Sequence, residues 1–425
     1  MKRQTAIDLT LSLLFSAALV VVLVEVGLRQ MYNLIPIEVC AADELIGTYT
    51  CRPNFEYDDP MEVGYHYKPG LRIEGEWDPA NPYLVGAGDI TAPTERNDSF
   101  WFVFETDEMG FPNSEYEWRD AYDIVVLGDS FTVRTAPKTW IELLSEQSGQ
   151  SILTLGAQSW GTLSQEQAIK KWGLDKNPEW VILLYFEGND LLNVQQYLER
   201  KDSGLDWRAY DYQGVSWTRR LLTPHLWNYL LNRSSNDVVA DETADYIFPM
   251  TANSNVGDIE TILKFPHLLP ISADYETIES SDEFKALSDS LIEIDQLVKA
   301  QNGRFLLVYV PSKEHVLWSR FWDPVDVNHI LEKTVTVTLS DGDNGRLQFN
   351  PPILTYDQFN ENHLAQEQLM ADFAAENGIE FLNLTPIFWE KTINEGEFFH
   401  FADVHWNQAG NQLTADTIFE YIHEE

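Results

Sequence analysis

The chain has 425 residues, 44% hydrophobic and 23% charged, with 28 Lys+Arg against 68 Asp+Glu for a net charge of −40. This is a globular composition that excludes collagen, a coiled-coil rod and wholesale disorder. So acidic a surface repels phosphate backbones and argues against nucleic acid as a partner; its plain reading is solubility, or adaptation to a salty exterior.

Lys2 and Arg3 precede an apolar run from Leu9 to Val24, bracketed by Asp8 and Glu25. As a helix this run reaches roughly 24 Å, and about 30 Å when carried on to Leu28, the thickness of a hydrocarbon core. No small-residue cleavage site follows, so the run reads as an uncleaved signal anchor, with a cleaved signal peptide as the alternative. The expectation is a single-pass N-terminal transmembrane helix over 1–29. Lys2 and Arg3 would keep the N-terminus in the cytoplasm and place the rest in the periplasm or outside the cell. In that compartment a Cys40–Cys51 disulfide closes a short loop, two free thiols being the alternative. No histidine lies nearby to make the pair a metal site.

Residues 30–120 are rich in Tyr, Trp, Pro and Asp with little periodicity. They are expected to form an N-terminal extension of short strands and loops packed on a larger domain, 121–425. There, apolar runs of strand length alternate with helical periodicity: Ile124–Leu127, Ile152–Leu155, Val181–Phe186, Phe305–Val310 and Ile379–Leu384. Helices are predicted from Pro137 to Glu146, Ser164 to Trp172, Leu364 to Glu376 and Gly410 to Ile422. Another carries Phe284, Leu287, Leu291, Ile294 and Val298, opened by a Ser280/Glu283 capping box and closed at Gly303. Alternating β and α predicts an α/β fold, a doubly wound, flavodoxin-like, five-stranded parallel sheet. Residues 194–279 interrupt the alternation and carry Trp207, Trp217 and Trp227. The segment is too long for a bare loop; it is a small packed subdomain or a substrate-facing lid.

The first strand ends in Gly128-Asp129-Ser130-Phe131, where ligands of open α/β sheets bind. Ser130 is therefore placed as a nucleophile, and the N-terminal amides of the helix expected to follow suit a developing oxyanion. The third strand ends in Glu187-Gly188-Asn189-Asp190, so Asn189 stands at the same edge with a side-chain donor. Before the last helix comes Asp403-Val404-His405-Trp406. Two residues apart in an extended loop, Asp403 and His405 point to one side, as a general base and its orienting carboxylate must. Taken singly, each stretch is also an ordinary turn.

Together, in the order Ser, Asn, Asp/His, these stretches resemble the SGNH (GDSL-type) hydrolase superfamily over roughly 120–200 and 280–425. The resemblance implies Ser130 as nucleophile, Asp403 and His405 completing a triad, and the N–H groups of Ser130 and Ser159 with the Asn189 side chain as oxyanion hole. It implies no metal and no cofactor. The two-residue Asp–His spacing, the Trp after the His, and Pro311-Ser312-Lys313-Glu314-His315-Val316 are similar to the alginate O-acetyltransferase-like branch. The second block departs from the pattern: in Thr154-Leu155-Gly156-Ala157-Gln158-Ser159-Trp160-Gly161-Thr162, Thr154 replaces the usual Asn and Ser159 the usual Gly. A Gly-x-Ser-x-Gly elbow is absent, which disfavours an α/β-hydrolase.

Of the remaining candidates, Asp341-Gly342-Asp343-Asn344-Gly345 lacks the Glu of a Ca²⁺ loop and reads as a turn. His400 lacks the carboxylate beside His405, and His315 reads as structural. The expected function is a membrane-anchored serine esterase acting on acyl, chiefly acetyl, esters. An O-acyltransferase for an extracellular polysaccharide and a non-catalytic glycan-binding scaffold are the alternatives.

Overall fold

Neighbouring residues of a strand face opposite sides, so a strand buried on both faces must be apolar at every position. The central strands β1 Ile124–Gly128, β3 Trp180–Phe186 and, after its first residue, β4 Arg304–Val310 meet that demand, while β2 Ile152–Gly156 and the partly buried β5 Glu380–Asn383 complete the sheet at its edges. They form one parallel sheet in the order β2-β1-β3-β4-β5. The molecule is seen here as a computed structural model. It describes residues 19–28, 55–58, 62–77, 100–113, 115–207, 221–232, 247–264, 270–321, 336–339, 346–350, 354–401 and 403–424, with a few isolated positions besides.

Helices cover both faces. Val125, Leu183 and Leu307 point into a core with α2 Thr162–Ala168, α3 Asp190–Ser203, α4 Asp282–Ala300 and, following a short α5 Lys313–Leu317, α6 Ala365–Asn377. Val126, Ile182 and Val308 point the other way, onto α1 Trp140–Ser148, α7 Thr385–Glu395 and α8 Gln408–His423. Local chemistry fixes the ends. Thr139 and Glu142 form a capping box on α1, which stops at Gly149 in the left-handed region, and Asn407 caps α8. The cap of α4 is Ser281, whose Oγ accepts from Phe284 N, and not Ser280. Ser280 instead closes the preceding short helix Tyr275–Glu279, which the sequence reading had not placed.

Residues of the N-terminal extension belong to the main core: Tyr67, Phe104 and Phe111 are buried with β1 and β2. The extension also shields the sheet edge. Asn113 Oδ1 accepts from Thr154 N at 2.8 Å and its Nδ2 donates to Thr154 O at 3.1 Å, so one side-chain amide pairs with edge strand β2 as a neighbouring strand would. The interruption begins later than 194, because α3 runs on to Ser203 and Gly204. Beyond it lie the helix Leu222–Asn232 and the hairpin Ile247–Ala252/Ile259–Lys264. Leu263 of that hairpin packs in a separate small core with Trp318 and Phe359. Trp207 is buried under Arg200, whose guanidinium lies 4.6 Å from its ring, so it serves packing. Trp227 is exposed. Trp217, Cys40, Cys51 and Asp341–Gly345 lie outside the described residues.

The expected transmembrane helix is corrected. Among the described residues no helix is long and apolar enough to cross a membrane. The stretch 19–28 is helical. Within it Glu25 is buried against the helix Leu222–Asn232, accepting from Leu222 N at 3.0 Å and from Thr223 N and Oγ1 at 2.9 and 2.8 Å. The single-pass, extracytoplasmic placement that rested on this helix falls with it.

Asn113→Ala leaves the Thr154 N–H and C=O on β2 without their partner. It should lower stability by about 1–3 kcal/mol, the cost of orphaned, partly buried backbone groups. Denaturant titration and amide exchange at Thr154 measure it; unchanged exchange there would mean that the extension does not guard the edge.

Candidate active site

The order β2-β1-β3 means that the chain steps outward from β1 to β2 and then returns to β3. Connections leave β1 and β3 in opposite directions, which opens a crevice at their carboxyl ends. Ser130 stands just past the end of β1, Asn189 just past β3, and Ser159 in the loop after β2. Gly156 makes room for the first turn: a Cβ there would meet Thr132 Oγ1 at 2.2 Å. The turn Ser130–Thr132 is capped by Asp129, whose Oδ1 accepts from Phe131 N at 3.0 Å.

Asp403 and His405 arrive from the far end of the chain on a closed loop. Phe399 and Trp406 form an antiparallel bridge, His400 N donates to His405 O at 3.0 Å, and Asn407 Nδ2 donates to Glu397 O and Phe399 O. The insertion's hairpin seats this loop from the other side, Ile262 N donating to Phe401 O at 3.1 Å. At the loop tip Asp403 Oδ1 accepts from His405 N at 2.9 Å and takes His405 Nδ1 at 2.5 Å. With that proton on Nδ1, the lone pair of Nε2 faces Ser130 Oγ at 2.8 Å. The Phe131 ring, 4.9 Å from the imidazole, packs against it. Ser130, Asp403 and His405 are all buried.

The remaining expected site residues differ in how they sit. Asn189 is half-buried, and its side-chain amide is among the groups that hold the Asp129 pKa down against burial. The NH₂ group has two protons, so one can hold Asp129 while the other serves a ligand. Ser159 is exposed and has φ 62. Left-handed backbone costs a residue with a Cβ about 1–2 kcal/mol, which is why glycine suits this place. The serine keeps the turn, turning its side chain outward. Of the competing histidines, His400 Nε2 lies 2.7 Å from Thr135 O. His315 Nδ1 lies 2.8 Å from Glu187 Oε2, in a buried network away from Ser130. Among the described residues no group of three or more His, Cys, Asp or Glu could hold a metal ion.

Two residues were seen in the sequence without a role. Asp129 is fully buried; burial raises its pKa, opposed by Phe131 N–H, His405, Asn189 and Ser130. Glu187 is fully buried and accepts from Ser312 N and Oγ at 2.6 and 2.7 Å and from Tyr309 Oη. Neither is marked by spacing or pattern, because a carboxylate in a strand-end turn looks the same whether it faces water or the core.

Asp190, behind Asn189, is buried with its Oδ2 accepting from Phe186 N at 2.8 Å. Burial, and then the Asp129 carboxylate, push its pKa well above the ordinary range. A folded-state pKa above the unfolded one means that the stability it gives is complete below the unfolded carboxylate range and lost as pH rises through the folded value. Asp190→Asn keeps the acceptor without the charge. Its thermal midpoint should exceed wild type at pH 7–8, and the gap should close as pH falls towards about 4. A gap independent of pH would show that Asp190 carries no charge cost.

No protein-family model matches the sequence, and no curated protein does. Among solved structures, an acetyl xylan esterase is similar at 12% identity and TM-score 0.31, covering 70% of this chain and 99% of its own. A GDSL-like lipase from Bacteroides thetaiotaomicron matches at 10% and 0.31, over 71% and 87%. An acetylxylan esterase from Geobacillus stearothermophilus matches at 12% and 0.31, over 71% and 94%. At these values the likenesses carry no residue roles, which follow from this chain's own geometry. The structural neighbours are GDSL-like lipases and acetyl xylan esterases.

Proposed function

We propose that the protein is a serine esterase acting on small acyl esters. The observation that carries this reading is the hydrogen-bonded chain Ser130 Oγ–His405 Nε2 and His405 Nδ1–Asp403 Oδ1 at the switch-point edge of the sheet. A nucleophile, a base and an orienting carboxylate within reach of one another are the geometric mark of acyl transfer.

Ser130 Oγ attacks the ester carbonyl carbon as His405 Nε2 takes its proton. Asp403 holds the imidazole in the required tautomer and faces the imidazolium that forms. The oxyanion receives the N–H groups of Ser130 and Ser159 and the second amide proton of Asn189. The tetrahedral intermediate then expels the alcohol, which takes the proton from His405. Water adds to the acyl-Ser130 ester by the same route, giving the carboxylic acid and restoring Ser130. An ester fits the site better than an amide, since an alkoxide leaves with less help than an amine.

Ser130→Ala and His405→Ala should each abolish hydrolysis of p-nitrophenyl acetate while the fold persists, the two acting as one unit. Labelling by a fluorophosphonate probe should vanish in Ser130→Ala. Asn189→Ala should slow turnover by on the order of 10²–10³, one lost oxyanion donor. Wild-type rates in Ser130→Ala would sink the reading.

Turnover should also fall on acidification as His405 takes a proton, because an imidazolium cannot accept one from Ser130. A kcat/KM that stays flat from pH 8 to pH 4 would remove histidine as the base. Oligosaccharides added to the acetyl donor test the acceptor. Free acetate as the sole product supports hydrolysis, and acetylated sugar would replace hydrolysis by transfer.

A further inference from the structure

Lys313 is almost wholly buried, 2% exposed. A buried ammonium is costly unless every proton is met. Its Nζ donates to the carbonyls of Phe401 at 3.0 Å, Asp403 at 3.2 Å and His400 at 3.3 Å. All three belong to the loop whose tip holds the Asp403–His405 pair. An apolar side chain would fill the space with less desolvation cost, so the charge is not explained by packing.

The lysine is itself held firmly. It opens α5, whose cap Ser312 accepts from His315 N at 3.1 Å. Ser312 and His315 both bind Glu187, at 2.7 and 2.8 Å. Glu187 directly precedes Gly188-Asn189 at the end of β3, and its N–H donates to Val310 O of β4. A continuous polar frame therefore runs from the strand ends, through Glu187 and Ser312, to Lys313 and into the base loop.

We propose that Lys313 is a positioning residue that sets the Asp403–His405 pair against Ser130 through the carbonyls of residues 400, 401 and 403. This rests on the esterase reading of the site. Lys313 touches no reacting atom; it fixes where the base stands, and a displacement of about 1 Å there can cost on the order of 10²-fold in rate.

The test compares wild type with Lys313→Met, which keeps the stem and removes the donors, using p-nitrophenyl acetate and active-site titration with a fluorophosphonate. The expected result is a kcat per titrated site lowered at least tenfold, KM within about twofold, and a parallel loss in phosphonylation rate. A merely structural lysine would lower the titrated fraction or the melting temperature and leave kcat per site at the wild-type value; that result overturns the proposal. Should Lys313→Met not fold, Lys313→Arg serves. Its planar fork cannot meet three carbonyls converging on one point, so a tenfold loss of kcat supports the proposal and wild-type kcat overturns it. Ser130→Ala in the same assay separates the two readings. If it is silent while the lysine variant turns over normally, only the positioning role fails. If Ser130→Ala is itself active, the site reading fails.

Discussion

The Ser130–His405 hydrogen bond joins positions 275 residues apart. Neither residue can find the other through local structure, and almost every other feature of the domain bears on that meeting. The sheet fixes the serine, because β1 is bonded on both sides and its last residue, Gly128, lies next to Gly156. The histidine is fixed from three directions. α8 begins immediately behind it, with Asn411 Oδ1 accepting from Trp140 N of α1. The insertion's hairpin seats the loop at Phe401, and Lys313 gathers its carbonyls from within.

The electrostatics follow from the same placement. The strand ends carry Asp129, Glu187 and Asp190, all with no exposed surface. Buried carboxylates are costly unless paired and hydrogen-bonded. Glu187 is met by two donors from Ser312, by Tyr309 and by His315; burial lowers the His315 pKa, but Glu187 and Glu367 together carry it above the ordinary value. Asp129 and Asp190 face one another and have fewer donors, so both are pushed towards the neutral form. His363 meets His315 edge to face and is held neutral, burial and its neighbour's charge lowering its pKa to about 4. A compact set of polar groups thus underlies the strand-end edge, in a chain with a large acidic excess.

Ser159 occupies the left-handed turn where glycine is the low-cost choice. Thr154, in place of the usual asparagine, has its backbone paired by Asn113 from the N-terminal extension.

The sequence by itself determined the sheet and its helices, since apolar runs bounded by turn residues have one stable use when they alternate with amphipathic segments. Strands 124–128, 152–156, 180–186 and 304–310 fall within a residue of where the runs lie. It also singled out Ser130, Asn189, Asp403 and His405, because strand ends and chain order are sequence properties. Tertiary structure alone decided which histidine meets the serine: His400 and His405 differ by five positions, and the Phe399–Trp406 bridge turns one to Thr135 and the other to Ser130. Tertiary structure also decided the fate of the apolar N-terminal run, where Glu25 caps a helix nearly two hundred residues on. Hydropathy could not foresee that partner. Lys313, Glu187 and Asp129 were invisible as a frame for a related reason. A pattern records how polar a residue is, while the cost of burying it and the donors that offset that cost exist only once distant segments have closed around it.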